Sequence, residues 1–100
     1  MFERILRRMQ EKIRERKYRM SIHAEEEMTD DGLTLYDVEH GILAGKILER
    51  QKDAETAEWK YCIRGETLAA GQVEVVAKLS LTGQLVIITV YVPEAEENNR

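Results

Sequence analysis

Gln72–Val92, QVEVVAKLSLTGQLVIITVYV, contains two strand-like runs joined by a short turn, and the way they alternate decides the fold. In the first run Val73, Val75, Ala77 and Leu79 alternate with Glu74, Val76, Lys78 and Ser80, the period of a strand with one buried face. The second run, Leu85–Val92, is apolar on both sides except at Thr89 and Tyr91, as befits a central strand. The LTGQ segment between them suits a hairpin turn. Upstream, WKYCIR (residues 59–64) alternates Trp59, Tyr61 and Ile63 with Lys60, Cys62 and Arg64, and the short GETLAAG loop joins it to the next strand. These three runs form an antiparallel meander, preceded by a short strand at KILER (residues 46–50) and the polar connection QKDAETAE.

The N-terminal half reads as helical. Phe2, Ile5, Leu6, Met9 and Ile13 recur at helical spacing, so residues 2–16 form an amphipathic helix inside a basic segment, 1–17. After the extended stretch KYRMSI, Ser21 caps a helix over His23–Asp31 that Gly32 ends in a left-handed turn. Thr34 and Asp37 have the spacing of a capping box, opening a helix over Leu35–Ala44 with Leu35, Val38 and Ile42 inward and Gly45 closing it. The class is therefore α+β, with N-terminal helices packed on a twisted antiparallel sheet of about four strands. One domain is expected over residues 1–100: the basic helix, a core at 18–92, and an acidic tail, 93–100, that frays.

Charge and cysteine usage narrow the function classes. Residues 1–19 carry eight Lys/Arg against three Glu within a chain of net charge −4, so one end can attract an anion that the rest repels. Cys62 has no disulfide partner and no second cysteine for a zinc pair, which points to a reducing compartment, the cytoplasm. No apolar run approaches the roughly 20 residues of a membrane span.

If Val73, Val75 and Ala77 and the even-numbered Val86, Ile88 and Val90 face the helices, then Lys78, Thr89 and Tyr91 share the other sheet face, and Arg64 joins them. A guanidinium, an ammonium, a hydroxyl and a phenol with few carboxylates suit a phosphate; an ordinary half-exposed sheet face is the alternative. A metal-independent ribonuclease needs an acid, a base and donors for the phosphate. His23 can serve as acid or base, Arg64 and Lys78 as donors, and Tyr91 as acid or stacking platform. His23 reads equally well as a surface residue of a helix's first turn. His23 and Glu27, four apart, lack a third metal ligand, so neither metal nor cofactor is expected. Cys62 as a nucleophile lacks a group to orient its base. His40 falls beside Tyr36 on a solvated side.

IHAEEEMTDDGLTLYDVEHGILAGKIL (residues 22–48), YCIRG (61–65) and VEVVAKLSLTGQLVIITVY (73–91) together resemble a small bacterial family, domain-of-unknown-function family 4258, over Tyr18–Val92. That family is similar to the RelE and BrnT toxins of toxin-antitoxin pairs. The resemblance implies a RelE/barnase-like toxin fold, RNA cleavage with or without the ribosome, and an antitoxin protein as partner. It points to His23, Arg64, Thr89 and Tyr91 as site positions. Glu27 and Asp31 stand where members commonly carry arginine, and both would repel RNA. Two function classes follow: a toxin-like endoribonuclease, with catalytic His23, Arg64 and Tyr91 and substrate-binding Lys78 and Thr89, or a non-catalytic protein-interaction domain of the same fold. Self-association into a homodimer is left open.

Overall fold

Two hydroxyl side chains set where the central helices begin. In the structure, a computed structural model that describes residues 1–93, Ser21 caps α2 (Ile22–Asp30) by accepting from the Ala24 N–H at 3.0 Å. Thr34 and Asp37 form the expected capping box at the start of α3 (Leu35–Leu43), each side chain accepting from the other's backbone N–H. Gly32, at φ 70°, closes α2 while the Leu33 N–H reaches back to the Met28 carbonyl at 2.9 Å. The same closing motif ends α1 (Glu3–Arg14) two residues short of the expected 16. There Arg16 takes the left-handed conformation, its N–H donates to Ile13 O, and Lys17 N–H donates to Lys12 O. Arginine stands where a glycine would ordinarily announce that turn, so no local stop signal precedes it. All but Pro93 of the acidic tail lies outside the described residues.

The sheet has five strands, not four, and is mixed. Its strands are β1 (Tyr18–Met20), β2 (Lys46–Lys52), β3 (Trp59–Glu66), β4 (Gln72–Leu79) and β5 (Leu85–Tyr91), in the order β1-β5-β4-β3-β2. The meander β2 to β5 is antiparallel as expected, whereas β1 runs parallel to β5. Three residues carry too little periodicity to announce a strand. The turn after α1 delivers them to β5, where Lys17 O accepts from Leu85 N–H and Ser21 N–H donates to Ile87 O.

A β-bulge corrects the facing expected for β5. Val76 pairs with Thr89 and Ala77 with Ile87, so Ile88 has no partner on β4 and the alternation slips by one residue. Leu85, Ile87 and Val90 therefore enter the main core, while Val86, opposite Lys78, is buried outside it. The carbonyl of Ile88 accepts from Ser21 Oγ at 3.0 Å, so one hydroxyl both caps α2 and ties it to the bulge. Ser21→Ala should cost about 1–2 kcal/mol in urea denaturation, and an unchanged midpoint would show that neither bond contributes.

All three helices pack on the inner face, where Met9, Ala24, Val38 and Ile42 meet Ile63, Val75 and Val90 in one cluster. Leu35, the first residue of α3 and expected inward, is exposed, whereas Val38 and Ile42 are buried as expected. Gln10 Nε2 donates to the carbonyls of Ile42 and Leu43, at 3.2 Å each, and so satisfies the end of α3 from α1. Two glycines let α3 lie directly on β3. A Cβ on Gly65 would overlap the Gly41 carbonyl and stand 2.8 Å from its Cα, and one on Gly41 would stand 2.5 Å from Val73 Cγ1. Among the described residues no helix is long and apolar enough to cross a membrane.

Candidate functional site

The helices leave the other face of the sheet uncovered, and register decides which side chains meet there. Arg64 on β3 pairs with Glu74 on β4, and Glu74 pairs with Tyr91 on β5, so three adjacent strands bring these residues side by side. Glu74 lies at the centre and is 6 % exposed. One of its oxygens accepts from Arg64 Nε at 2.7 Å and also from Arg64 Nη2; the other accepts from the Tyr91 hydroxyl and, at 3.5 Å, the Cys62 thiol. The expectation of a cationic face with few carboxylates is thereby corrected. Glu74 neutralises Arg64, and Glu58 bonds Lys78 Nζ at 2.6 Å.

The charges respond accordingly. Burial pushes the Glu74 carboxyl up, but hydrogen bonds from Tyr91, Arg64 and Cys62, with the Arg64 charge, hold it below the ordinary carboxylate value. Tyr91 is raised by its bond to that carboxylate and then by burial, and Arg64 is raised by its bond to Glu74. Burial first, and the Glu74 charge second, push the Cys62 thiol up to about 11, which makes it a poor nucleophile at neutral pH.

Of the five residues singled out in the sequence, Arg64 and Tyr91 are joined through Glu74. Thr89 and Lys78 stand on the same face without joining that network: Thr89 beside Val76, and Lys78 beside Val86. His23 sits on α2 in the helical layer, exposed, with Nε2 3.2 Å from Glu27 of its own helix. No hydrogen bond or ion pair among the described residues links it to Arg64, Lys78, Thr89 or Tyr91. Glu27 has a backbone role as well, accepting from the Val90 N–H at 2.9 Å. His40, expected to be solvated, is half-buried with Nδ1 2.7 Å from the Glu66 carbonyl.

Sequence reasoning missed two residues of this face. Alternation marked Glu74 as an outward position of β4, but only the register of β3 on β4 places it beside Arg64. Lys46, the cross-strand partner of Arg64 on β2, lines with it a cleft of about 400 Å³ bounded by Gly45, Gly65, Gln72 and one acidic residue, Glu66. Among the described residues no three His, Cys, Asp or Glu side chains gather as a metal site would require.

The matched span of a family model now settles where these residues belong: the domain of unknown function DUF4258 covers residues 20–92. The chain belongs to that family. No curated protein and no solved structure matches the chain. The DUF4258 span contains Glu74, Arg64, Tyr91, Lys78, Thr89 and His23, whereas α1 lies wholly before it.

Proposed function

We propose that this DUF4258 domain is a toxin-like, metal-independent endoribonuclease of a toxin-antitoxin pair, with Glu74, Arg64 and Tyr91 as its reaction centre. The observation carrying the reading is the buried Glu74 carboxylate that holds a half-exposed guanidinium and a phenol on three neighbouring strands, beside a cleft lined by Lys46 and Arg64. The proposed similarity to the RelE and BrnT toxins adds the expectation of a protein antitoxin that covers this face, and of RNA, free or on the ribosome, as substrate.

At rest Glu74 is a weak base, because Arg64 and Tyr91 stabilise its charge. A phosphodiester entering the cleft competes for the Arg64 fork. Once Arg64 turns to the phosphate, burial dominates at Glu74 and strengthens it as a base for the 2′-hydroxyl proton. The 2′-oxygen then attacks phosphorus, the bond to the 5′-oxygen breaks, and a 2′,3′-cyclic phosphate and a 5′-hydroxyl form. Tyr91 donates the proton the leaving oxygen takes, and Arg64 with Lys46 balances the charge on the phosphate. Thr89 and Lys78 flank this centre as substrate contacts.

Growth arrest on expression, and cleavage of RNA by the purified protein, test the reading. Glu74→Gln and Arg64→Ala should each lower the cleavage rate at least about a hundredfold, while His23→Ala, whose ring is held by Glu27, should retain it. An RNA left intact by the folded wild-type protein, with and without ribosomes, would end the proposal. One observation favours the second reading, a non-catalytic interaction domain: both oxygens of Glu74 already accept hydrogen bonds from side chains of the same face, as in a structural ion pair. In that case expression is harmless and neither substitution matters beyond stability.

A further inference from the structure

A second cationic surface lies on the helix-bearing side of the sheet, where α1 crosses the β2–β3 hairpin. Arg4 and Arg8, one turn apart on α1, and Arg50 on β2 rim a cleft of about 320 Å³ floored by Phe2, Ile5 and Tyr61. No carboxylate lines it, and among the described residues none of the three arginines has a carboxylate partner within 4 Å. The Phe2 and Tyr61 rings meet edge to face, with centroids 6.1 Å apart. An adjoining cleft of about 280 Å³ shares Ile5, Arg8 and Tyr61 and adds Trp59; its one carboxylate, Glu58, is bonded to Lys78. Trp59 is 40 % exposed and carries the Arg50 guanidinium 4.0 Å and the Lys52 ammonium 5.1 Å from its ring centre.

We propose that these two clefts bind single-stranded nucleic acid, with bases against Tyr61, Phe2 and Trp59 and phosphates on Arg4, Arg8 and Arg50. Unpaired guanidiniums grip phosphate oxygens through their forked donors, and aromatic faces stack bases of any sequence. Each cleft has about the volume of a small-ligand site, and two of them in succession suit a strand better than a lone nucleotide. The eight Lys/Arg against three Glu of residues 1–19 concentrate positive charge on the α1 side of this surface. The surface is completed by α1, which lies outside the DUF4258 span, whereas Arg50, Trp59 and Tyr61 lie within it. It is separate from the Glu74 centre and stands whether or not that centre cleaves.

Trp59 is the only tryptophan of the chain and reports on the site directly. Titration of the full chain with an eight-residue oligouridylate, as RNA and as DNA, should quench its fluorescence in both forms, and a double-stranded RNA of equal length should quench it far less. In the Arg4→Ala/Arg8→Ala double variant, whose altered side chains are exposed and whose melting temperature serves as the folding control, affinity should fall at least tenfold. The slope of log affinity against log salt should also become shallower by about 1.4, two phosphates at about 0.7 each. Arg14→Ala, exposed on α1 and lining neither cleft, should leave both quantities unchanged. An affinity indifferent to Arg4 and Arg8, an equal loss caused by Arg14→Ala, or quenching by a polyglutamate peptide with none by either oligonucleotide would each overturn the proposal.

Discussion

Gly65→Ala is expected to lower the stability of the domain by about 3 kcal/mol or more, the upper range for an overpacked core, and so to lower its melting temperature by at least about 12 °C. The added carbon would enter the Gly41 carbonyl group, with the carbonyl carbon at 2.7 Å and Gly41 Cα at 2.8 Å, all of it backbone. Neither side can yield by rotating a side chain. The helix would have to lift from β3, opening the cluster around Val38, Ile42 and Ile63. Gly71→Ala is the matched control, since its Cβ would meet only Thr67 Oγ1 at 3.4 Å, and its midpoint should move by less than about 0.5 kcal/mol. Thermal melts of the two variants side by side check this. Equal melting temperatures would mean that α3 does not rest on β3 through glycine.

The second large effect is pH-dependent. Removing Arg64 leaves the buried Glu74 carboxylate with only the Tyr91 and Cys62 donors. Breaking a fully buried pair from one side costs about 3–5 kcal/mol; Arg64 is 43 % exposed and two donors remain, so about 2 kcal/mol is expected for Arg64→Ala at pH 7. In the wild-type protein the folded-state value of Glu74 is depressed. Its contribution is therefore complete above the unfolded carboxyl value and is lost as pH falls through the folded value. Without Arg64 burial is offset only by the Tyr91 and Cys62 bonds, so the carboxyl rises from its wild-type folded value and folding favours the charged form less at neutral pH. Urea midpoints of the two proteins should thus lie far apart at pH 7 and converge as pH falls through the depressed folded-state value of Glu74 in the wild-type protein. A constant gap would place the cost in lost packing of the arginine stem, not in the stranded charge.

The helices, their caps and the four-stranded meander were legible because each rests on local chemistry: a hydroxyl ahead of α2, Thr34 and Asp37 three apart, Gly32 after Asp31, and period-two alternation in β3 and β4. What escaped rests on partners remote in sequence. β1 becomes a strand only because Leu85 and Ile87 offer it a ladder, and the bulge at Ile88 exists only in pairing with β4. α1 ends on an arginine in a glycine conformation. At the site, alternation put Arg64, Lys78, Thr89 and Tyr91 on one face, yet charge-counting by residue type hid that Glu74 lies buried among them. The acidic Glu27, read as a charge that repels RNA, proves also to close a backbone group, which only the packing of α2 on β5 reveals.

That last contact has a consequence for association. β1 shields β5 only as far as Ile87, so the following stretch would otherwise present an open rim on which a foreign chain could zip. The Glu27 carboxylate occupies the amide of Val90 in the place of such a visitor, and being charged it also makes the approach of another backbone carbonyl unfavourable. With the Ser21 hydroxyl on the Ile88 carbonyl just before it, a strand extending the sheet from this border would have to displace two side chains before it could pair.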